Sequence, residues 1–328
     1  MLFEKGYFGA EKHRPKGENR LPEKLQEVKN VKVRRPACHV RIPVRLRRRG
    51  RASLFRRNFV LLQVQVNKRN DMKEQLTVVK VGGKIVEDAD ALAGLIDSFS
   101  RLEGHKVLVH GGGRTATDVA ARLGLETQMV GGRRVTDEGM LRVVTMVYGG
   151  LVNKGVVAAL QARGVCALGL TGADMGVILS RRRPAGEVDY GYVGDVERVD
   201  ADRLAALVRS GVVPVMAPLT HDGRGTLLNT NADTIAGETA RALARHFDVT
   251  LVYCFEHPGV MRDAADPLSV IPAVSRDSFA RLVDEGVVSG GMIPKLENCL
   301  AAVDDGVSRV VITRADLLGQ PGGTVVSR

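Results

Sequence analysis

The chain has 328 residues, 44% of them hydrophobic, and a formal net charge of +11. Its four cysteines are scattered and form no C-x-x-C pair, which argues against a structural zinc site and against a disulfide framework. We find no apolar run near the ~20 residues that a membrane span requires, and the first residues lack the pattern of a signal peptide. We therefore expect a globular, cytoplasmic protein with a large core.

The positive charge is concentrated at the start of the chain. Residues 1–71 contain 20 Lys and Arg against six Asp and Glu, so the remaining 257 residues contain 28 basic and 31 acidic side chains. Between Val28 and Asn70 there are fourteen Lys or Arg and no acid. The charge balance changes sign close to Met72, and this change marks a boundary in the chain.

Three interpretations of residues 1–71 are open. The segment could bind RNA or another polyanion through its charge, or it could be an Arg-rich, acid-poor transit peptide. It could also precede the native start, with Met72 as the true first residue. We favour the third interpretation, and we expect residues 1–71 to be a disordered basic extension or a mis-assigned start.

After this boundary the chain alternates predicted strands and helices. Short apolar, β-branched runs predict buried strands at 76–81, 106–109, 165–170, 212–217, 249–255 and 309–312. Helical periodicity predicts helices at 88–102, 115–123, 137–160, 234–243, 275–284 and 296–304. The polar segment 181–199 resembles a hairpin. The alternation predicts an α/β fold, a three-layer αβα sandwich with a mainly parallel central sheet.

Two of the predicted strands end in glycines that a helix follows. Gly82-Gly83 follows the first strand, and His110-Gly111-Gly112-Gly113 follows the second. This order of strand, glycines and helix points free backbone N–H groups at an anion. Neither the Walker loop nor the dinucleotide fingerprint is present. We expect His110 to be a packed, hydrogen-bonded residue rather than a base, because no nucleophile with a triad-like partner is identifiable.

The stretch Asn229-Thr230-Asn231-Ala232-Asp233 has two interpretations. Asp233 could simply open the helix that follows, since Asn and Asp are good helix caps. It could also be a carboxylate between Lys80 and Lys295, each of which lies beside glycines, in a phosphoryl-transfer centre. Arg133 and Arg134 likewise could grip a carboxylate in bidentate fashion or form a solvated surface pair.

Five motifs in this order resemble the amino acid kinase family, and most closely its acetylglutamate kinase branch. The matching segments are Lys80-Val81-Gly82-Gly83, His110 to Gly113, Gly132-Arg133-Arg134-Val135-Thr136, Asn229 to Asp233, and Gly291-Met292-Ile293-Pro294-Lys295. The resemblance covers residues 74–328 and leaves 1–71 unmatched. Cys254-Phe255-Glu256-His257 departs from the family's commoner Thr/Ser-Asp-x-x-Gly turn and is similar to the branch found in Bacteroidetes-type bacteria.

The resemblance implies ATP-dependent phosphorylation of the side-chain carboxylate of N-acetyl-L-glutamate in arginine biosynthesis. Mg²⁺ would arrive with the ATP, and the protein would need no metal site of its own. The implied catalytic residues are Lys80, Lys295, Asp233 and Gly83. The implied substrate-binding residues are Gly112, Gly113, Arg134 and Asn229, with Arg134 on the α-carboxylate. The implied nucleotide-binding residues are Glu256, His257, Pro258, Gly259, Val260, Met261, Val287, Val288 and Ser289.

The resemblance also implies two lobes and a homodimer. Residues 72–245 would bind the amino acid, and residues 246–328 would bind the nucleotide. Three alternatives are an N-succinyl-L-glutamate kinase, a kinase of the same fold acting on carbamate, aspartate or UMP, and a non-catalytic amino-acid sensor. Residues 132–136 favour the acylglutamate branch, and the retention of Lys80, Asp233 and Lys295 argues against a sensor. Nucleic-acid binding is supported only by residues 1–71.

Overall fold

The computed structural model describes residues 73–263, 265–266 and 268–328. The predictions made for residues 1–71 lie outside the described residues. The strands, in chain order, are β1 (Gln75–Val81), β2 (His105–His110), β3 (Met129–Val130), β4 (Arg133–Arg134), β5 (Ala167–Leu170), β6 (Ile178–Arg182), β7 (Gly194–Val199), β8 (Val213–Met216), β9 (Leu219–His221), β10 (Leu227–Asn229), β11 (Asp248–Phe255), β12 (Ala273–Val274), β13 (Arg309–Arg314) and β14 (Thr324–Val326).

Eight of these strands form the central sheet, in the order β12-β14-β13-β11-β1-β2-β8-β5. Its neighbouring strands are parallel except for the antiparallel pair β13 and β14. A second sheet has the order β10-β9-β6-β7, and β3 and β4 form a separate hairpin. The predicted mainly parallel central sheet is therefore confirmed.

The helices pack on both faces of the central sheet. They are α1 (Gly83–Glu87), α2 (Ala89–Arg101), α3 (Gly113–Arg122), α4 (Glu138–Gln161), α5 (Ala201–Arg209), α6 (Ala232–Leu243), α7 (Arg276–Asp284) and α8 (Met292–Asp304). Residues of α5, α6, α7 and α8 share one core cluster with the sheet. Residues of α1, α2 and the end of α4 share a second cluster. Two helical layers thus enclose the sheet, as the three-layer prediction requires.

Helix α4 was predicted as one long helix, and it has an irregular centre. Its residues Thr145–Val152 form a π-helical segment between two α-helical segments. By length and composition alone this helix could cross a membrane, a possibility that the sequence prediction had excluded. In the fold one side of the helix lies in the core, with Met140, Val143, Val147, Val156 and Leu160 buried. We therefore describe α4 as a core helix.

Helix α5 and strands β9 and β10 were not predicted from the sequence, and the start of α8 was predicted too late in the chain. Helix α8 was expected from Leu296 and begins at Met292, so that Lys295 lies inside its first turn. The prediction of two lobes stays a prediction. Strand β1 pairs with β2 on one side and with β11 on the other, so the central sheet is continuous across the proposed boundary at residue 245.

Candidate active site

The candidate site lies at the carboxyl ends of three neighbouring strands. Val81 is in register with His110 on β2 and with Cys254 on β11. Strand β1 then leads into Gly82-Gly83, and β2 leads into Gly111, Gly112 and Gly113. The carboxyl edge of an open, mainly parallel sheet is where such folds bind their ligands.

The two glycine loops approach each other so closely that side chains would not fit between them. A Cβ atom on Gly111 would lie 2.9 Å from the Gly83 nitrogen, and one on Gly83 would lie 3.3 Å from the Gly112 nitrogen. Gly112 also has a φ of +150°, in the region that favours glycine. The backbone nitrogens of Gly83, Gly112 and Gly113 therefore converge at the start of α3, an arrangement suited to an anion.

A buried histidine supports the second glycine loop. His110 is completely buried, and its Nδ1 lies 2.7 Å from the carbonyl oxygen of Gly111. Asn153, on α4, donates from Nδ2 to His110 Nε2 at 3.0 Å and to the carbonyl of Val215 at 2.9 Å. This pattern fixes a neutral imidazole that carries its proton on Nδ1. The prediction of a packed, hydrogen-bonded histidine is confirmed.

Lys80 and Asp233, which are far apart in sequence, form an ion pair. The Lys80 Nζ lies 2.8 Å from Asp233 Oδ1, and the lysine is 8% exposed. Asp233 is not the cap of α6, contrary to one interpretation of the sequence. The cap is Asn231, whose Oδ1 accepts hydrogen bonds from the backbone nitrogens of Asp233 and Thr234. Asp233 occupies the second position of the helix, and its side chain is therefore free for Lys80.

Lys295 approaches the same centre from helix α8. Within the part of the chain that the structure describes, no hydrogen bond or ion pair joins its Nζ to another residue. Instead, Nζ lies 3.3 Å from the centroid of the Phe255 ring. Burial lowers the pKa of Lys295, and the nearby Asp233 carboxylate opposes that shift. The Asp233 carboxylate, which was expected to lie between the two lysines, therefore contacts Lys80 directly but not Lys295.

Arg134 is buried and its guanidinium has only neutral partners among the described residues. Nη2 donates to the Gly113 carbonyl at 2.8 Å and to Thr117 Oγ1 at 2.9 Å, and Nη1 donates to Thr127 Oγ1 at 3.1 Å. A buried cation without a counter-charge favours the binding of an anion. Arg133, by contrast, is exposed. The interpretation as a solvated pair is therefore wrong for Arg134.

Arg134 lines a cavity of about 200 Å³ beside the glycine loop. Gly112, Gly113 and Asn229, which the sequence proposed for the same substrate, also line it. Asn229 Nδ2 donates to Thr136 Oγ1 at 2.9 Å, which holds β10 against the segment that follows β4. The structure therefore brings together all four residues that were predicted to bind the amino acid.

A second cavity, of about 320 Å³, lies beside Gly83. Gly83, Lys295 and three residues of the predicted nucleotide set, Glu256, His257 and Gly259, line it. Val260 and Val288 point into the core instead, and Pro258, Met261, Val287 and Ser289 do not line this cavity. Only part of the predicted nucleotide set thus faces the space beside Lys295.

Sequence reasoning missed three residues of this region. Lys84 Nζ forms an ion pair with Glu256 Oε1 at 2.6 Å, which links the first glycine loop to the turn after β11. The ring of Phe255 lies against the Lys295 ammonium group, and Asn153 donates a hydrogen bond to His110. A lysine directly after Gly82-Gly83 was a signal that could have pointed to Lys84. Among the described residues, no group of three or more His, Cys, Asp or Glu could hold a metal ion.

Comparisons with known proteins agree with this geometry. The model of the amino acid kinase family matches residues 75–314. The acetylglutamate kinase of Phocaeicola vulgatus is 63% identical over 257 residues, which are 78% of this chain and 100% of that protein. The acetylglutamate kinase of Bacteroides fragilis is 65% identical over 257 residues, 78% of this chain and 98% of that protein. The resemblance inferred from the five motifs is confirmed.

Solved structures are similar at the level of the fold. The protein smu.665 from Streptococcus mutans is 27% identical, with a TM-score of 0.63, and the match covers 77% of this chain and 98% of that one. Carbamate kinase from Giardia lamblia bound to AMP-PNP is 13% identical, with a TM-score of 0.56, and the match covers 79% and 99%. The central sheet and its helical layers are therefore shared with solved kinases.

Proposed function

The chain belongs to the amino acid kinase family, and from this we propose that it phosphorylates the side-chain carboxylate of N-acetyl-L-glutamate with ATP. The products are ADP and N-acetyl-L-glutamyl 5-phosphate, an intermediate of arginine biosynthesis. The observation that carries the proposal is the position of Lys80, Asp233 and Lys295. Lys80 and Asp233 form an ion pair at the carboxyl edge of the sheet, and Lys295 lines the cavity of Glu256 together with Gly83.

The chemistry needs positioning and charge neutralisation more than covalent participation by the protein. A γ-carboxylate oxygen of the substrate attacks the γ-phosphorus, and the bond from that phosphorus to the bridging oxygen of ADP breaks. Lys80 and Lys295 offset the charge of the transferring group, and the N–H groups of Gly83 and Gly112 donate to its oxygens. Arg134 binds the α-carboxylate of the amino acid. The nucleotide enters as MgATP and brings its metal ion with it.

A coupled assay of ADP release tests this function. N-acetyl-L-glutamate and N-succinyl-L-glutamate are compared as substrates at equal concentrations with saturating MgATP. We expect ADP release with the acetyl compound at a higher kcat/KM. The proposal is contradicted if ADP release with N-acetyl-L-glutamate does not rise above the substrate-free background. A higher kcat/KM with the succinyl compound would assign N-succinyl-L-glutamate as the substrate instead.

The substitution Arg134→Lys is expected to raise KM for the amino acid far more than KM for ATP. Lysine keeps the charge but lacks the planar guanidinium fork, which donates to Gly113 and Thr117 and can bind a carboxylate in bidentate fashion. Hydrogen bonds to charged groups contribute about 1.5–3 kcal/mol, so we expect an increase on the order of ten- to a hundred-fold. Steady-state kinetics with each substrate varied in turn measures both constants.

The control for this prediction is Arg142→Lys, which changes an exposed arginine that pairs with Glu138 on the surface of α4. It is expected to leave both KM values unchanged. If Arg134→Lys raises the two KM values equally, Arg134 does not bind the substrate carboxylate.

We expect residues 72–328 alone to fold and to carry full activity. The family model begins at residue 75, and the 257 matched residues account for the whole length of the Phocaeicola vulgatus relative. Both lengths are expressed, and their kcat values and melting temperatures are compared. An insoluble or inactive short form beside an active full chain would show that the basic segment is needed.

The division into an amino-acid lobe, 72–245, and a nucleotide lobe, 246–328, is part of this proposal. The cavity of Arg134 is lined only by residues of the first range. The cavity of Glu256 is lined by residues of both ranges. A structure with a bound non-hydrolysable ATP analogue would test whether residues 246–328 bind the nucleotide. This assignment is wrong if the analogue contacts only residues before 246.

We also propose a cytoplasmic homodimer. Met146 and Leu151 on α4 are apolar side chains that are 53% and 63% exposed. Leu168, on the last strand of the central sheet, β5, is also exposed. A second copy of the chain would cover this apolar surface. Light scattering that gives the mass of a single chain at micromolar concentration would contradict the dimer.

A further inference from the structure

We propose that Phe255 is a positioning residue for phosphoryl transfer, and that its aromatic face holds the Lys295 ammonium group beside the reacting centre. This inference rests on the proposed function, and it adds a residue that the family motifs do not assign. Phe255 is the last residue of β11, at the carboxyl edge of the central sheet. It belongs to the segment in which this chain departs from the commoner family turn.

The geometry is that of a cation over an aromatic ring. Lys295 Nζ lies 3.3 Å from the centroid of Phe255, and Lys80 Nζ lies 5.5 Å from the same centroid. Both distances are within the ~6 Å over which the negative face of a ring attracts a cation. One ring therefore attracts both lysines, whose charges would otherwise only repel each other.

The ring is itself held in place by a second aromatic residue. Tyr253 lies two residues earlier on the same face of β11, and the two rings stack with their centroids 6.0 Å apart and their planes 11° apart. The hydroxyl of Tyr253 lies 3.5 Å from the backbone carbonyl oxygen of Asp233. Strand β11 thus connects the first turn of α6, which carries Asp233, with the first turn of α8, which carries Lys295.

Lys295 needs such a support because its other interactions are weak. Asp233 makes its ion pair with Lys80, and no residue of the described chain accepts a hydrogen bond from Lys295 Nζ. A flexible lysine side chain loses much rotamer freedom when it is fixed in one position. The ring of Phe255 limits that freedom in advance and favours the charged form, which is the form that can neutralise a phosphoryl group.

A different role for Phe255 would be to bind the nucleotide by stacking, because Phe255 also lines the cavity beside Glu256. The two roles predict different kinetic effects. A positioning role acts on kcat, since the position of Lys295 matters most when charge develops in the transition state. A stacking role acts on KM for ATP, because it would contribute mainly to ground-state binding.

The first experiment compares Phe255→Leu with Phe255→Tyr. Leucine keeps an apolar side chain but removes the aromatic face, whereas tyrosine keeps the face. We expect Phe255→Leu to lower kcat roughly five- to thirty-fold, with KM for ATP changed by less than about two-fold, and Phe255→Tyr to retain most of kcat. Equal losses in both variants, or a rise in KM for ATP alone, would overturn the proposal.

Phe279→Leu is the matched control, because Phe279 on α7 is also partly buried and packs on the same core, but it lines neither of the two cavities. Its kcat is expected to remain that of the unmodified protein. A double-mutant cycle with Lys295→Met then tests whether the ring acts through the lysine. Phe255→Leu should have a much smaller effect on kcat in the Lys295→Met background, and an undiminished effect there would overturn the inference.

A measurement without turnover separates this inference from the proposed function. The pKa of Lys295 is obtained from the pH dependence of its acylation by trace acetic anhydride, quantified by mass spectrometry in the full chain. We expect a lower pKa in Phe255→Leu than in Phe255→Tyr, because only the tyrosine ring favours the ammonium form. Equal values would overturn the inference. If the two variants differ in the pKa of Lys295 but the protein does not phosphorylate N-acetyl-L-glutamate, the proposed function is wrong and the contact between Phe255 and Lys295 is still supported.

Discussion

The substitution Asp233→Asn is expected to lower kcat on the order of 10²–10³-fold while the fold stays intact. Asparagine has nearly the same size as aspartate, but it carries no charge. Lys80 would lose its ion-pair partner at 2.8 Å, and its position beside the glycine loops would no longer be fixed. Lys80 and Lys295, which both lie near the ring of Phe255, would then repel each other without a nearby carboxylate.

A purely structural role for Asp233 predicts a much smaller effect. The cap of α6 is Asn231, so Asp233→Asn leaves the cap in place. What the helix loses is a negative charge in its first turn, which contributes about 0.3–1 kcal/mol through the helix dipole. Thermal melting should therefore change little, and a large loss of kcat could not be attributed to unfolding.

Helix α5 offers a matched control. It begins with Ala201-Asp202 after the cap Asp200, as α6 begins with Ala232-Asp233 after the cap Asn231. Asp202→Asn changes the same position of a helix, but its side chain is exposed and lies beside His246. We expect Asp202→Asn to keep the kcat of the unmodified protein. If Asp233→Asn also keeps more than about a third of kcat, a barrier change below roughly 0.7 kcal/mol, then Asp233 has no catalytic role.

The central sheet could be predicted because its strands have a strong local signal. The apolar run before Gly82-Gly83 and the run before Gly111 are short, β-branched and followed directly by residues that end a strand. Strand β10, with three residues, carries too little apolar pattern to be identified. The order of the strands was not predicted, and the proximity of Lys80 to Asp233 was inferred from the family motifs and not from periodicity.

The local errors at the site have simple physical causes. Asn229, Asn231 and Asp233 are all competent caps, so the sequence alone could not determine which of them begins α6. Pro294 was taken to precede α8, whereas proline is tolerated in the first turn of a helix, where its missing N–H group has no partner anyway. The contact of Lys295 with Phe255 joins residues forty positions apart and depends on side-chain rotamers, which a sequence pattern does not specify.

The buried histidine leads to the last prediction, which concerns stability in acid. Burial lowers the pKa of His110 to about 4, against 6.5 for a solvated histidine, and the nearby Lys154 ammonium also disfavours a second positive charge. Because the folded-state pKa is the lower one, the unfolded chain takes up a proton first as the pH falls. His110 therefore leaves the fold undisturbed above pH 6.5 and destabilises it increasingly as the pH falls from 6.5 towards 4.

The expected size of this effect is about 2–3 kcal/mol of unfolding free energy between pH 7 and pH 4.5. Urea unfolding of the full chain at these two pH values measures it for the unmodified protein and for His110→Asn. Asparagine does not titrate, and its amide can still donate to the Gly111 carbonyl. Whatever the stability of the variant at pH 7, its loss of unfolding free energy on acidification should be smaller by about 2–3 kcal/mol.

The comparison of slopes isolates His110, because every other titrating group contributes equally to both proteins. His257→Asn, which changes an exposed histidine, is the control and should keep the slope of the unmodified protein. Equal slopes for all three proteins would mean that His110 is not held as a neutral imidazole. In that case the hydrogen bonds that Asn153 and Gly111 make with the ring would not fix its protonation, and the second glycine loop would have to be held in place by other contacts.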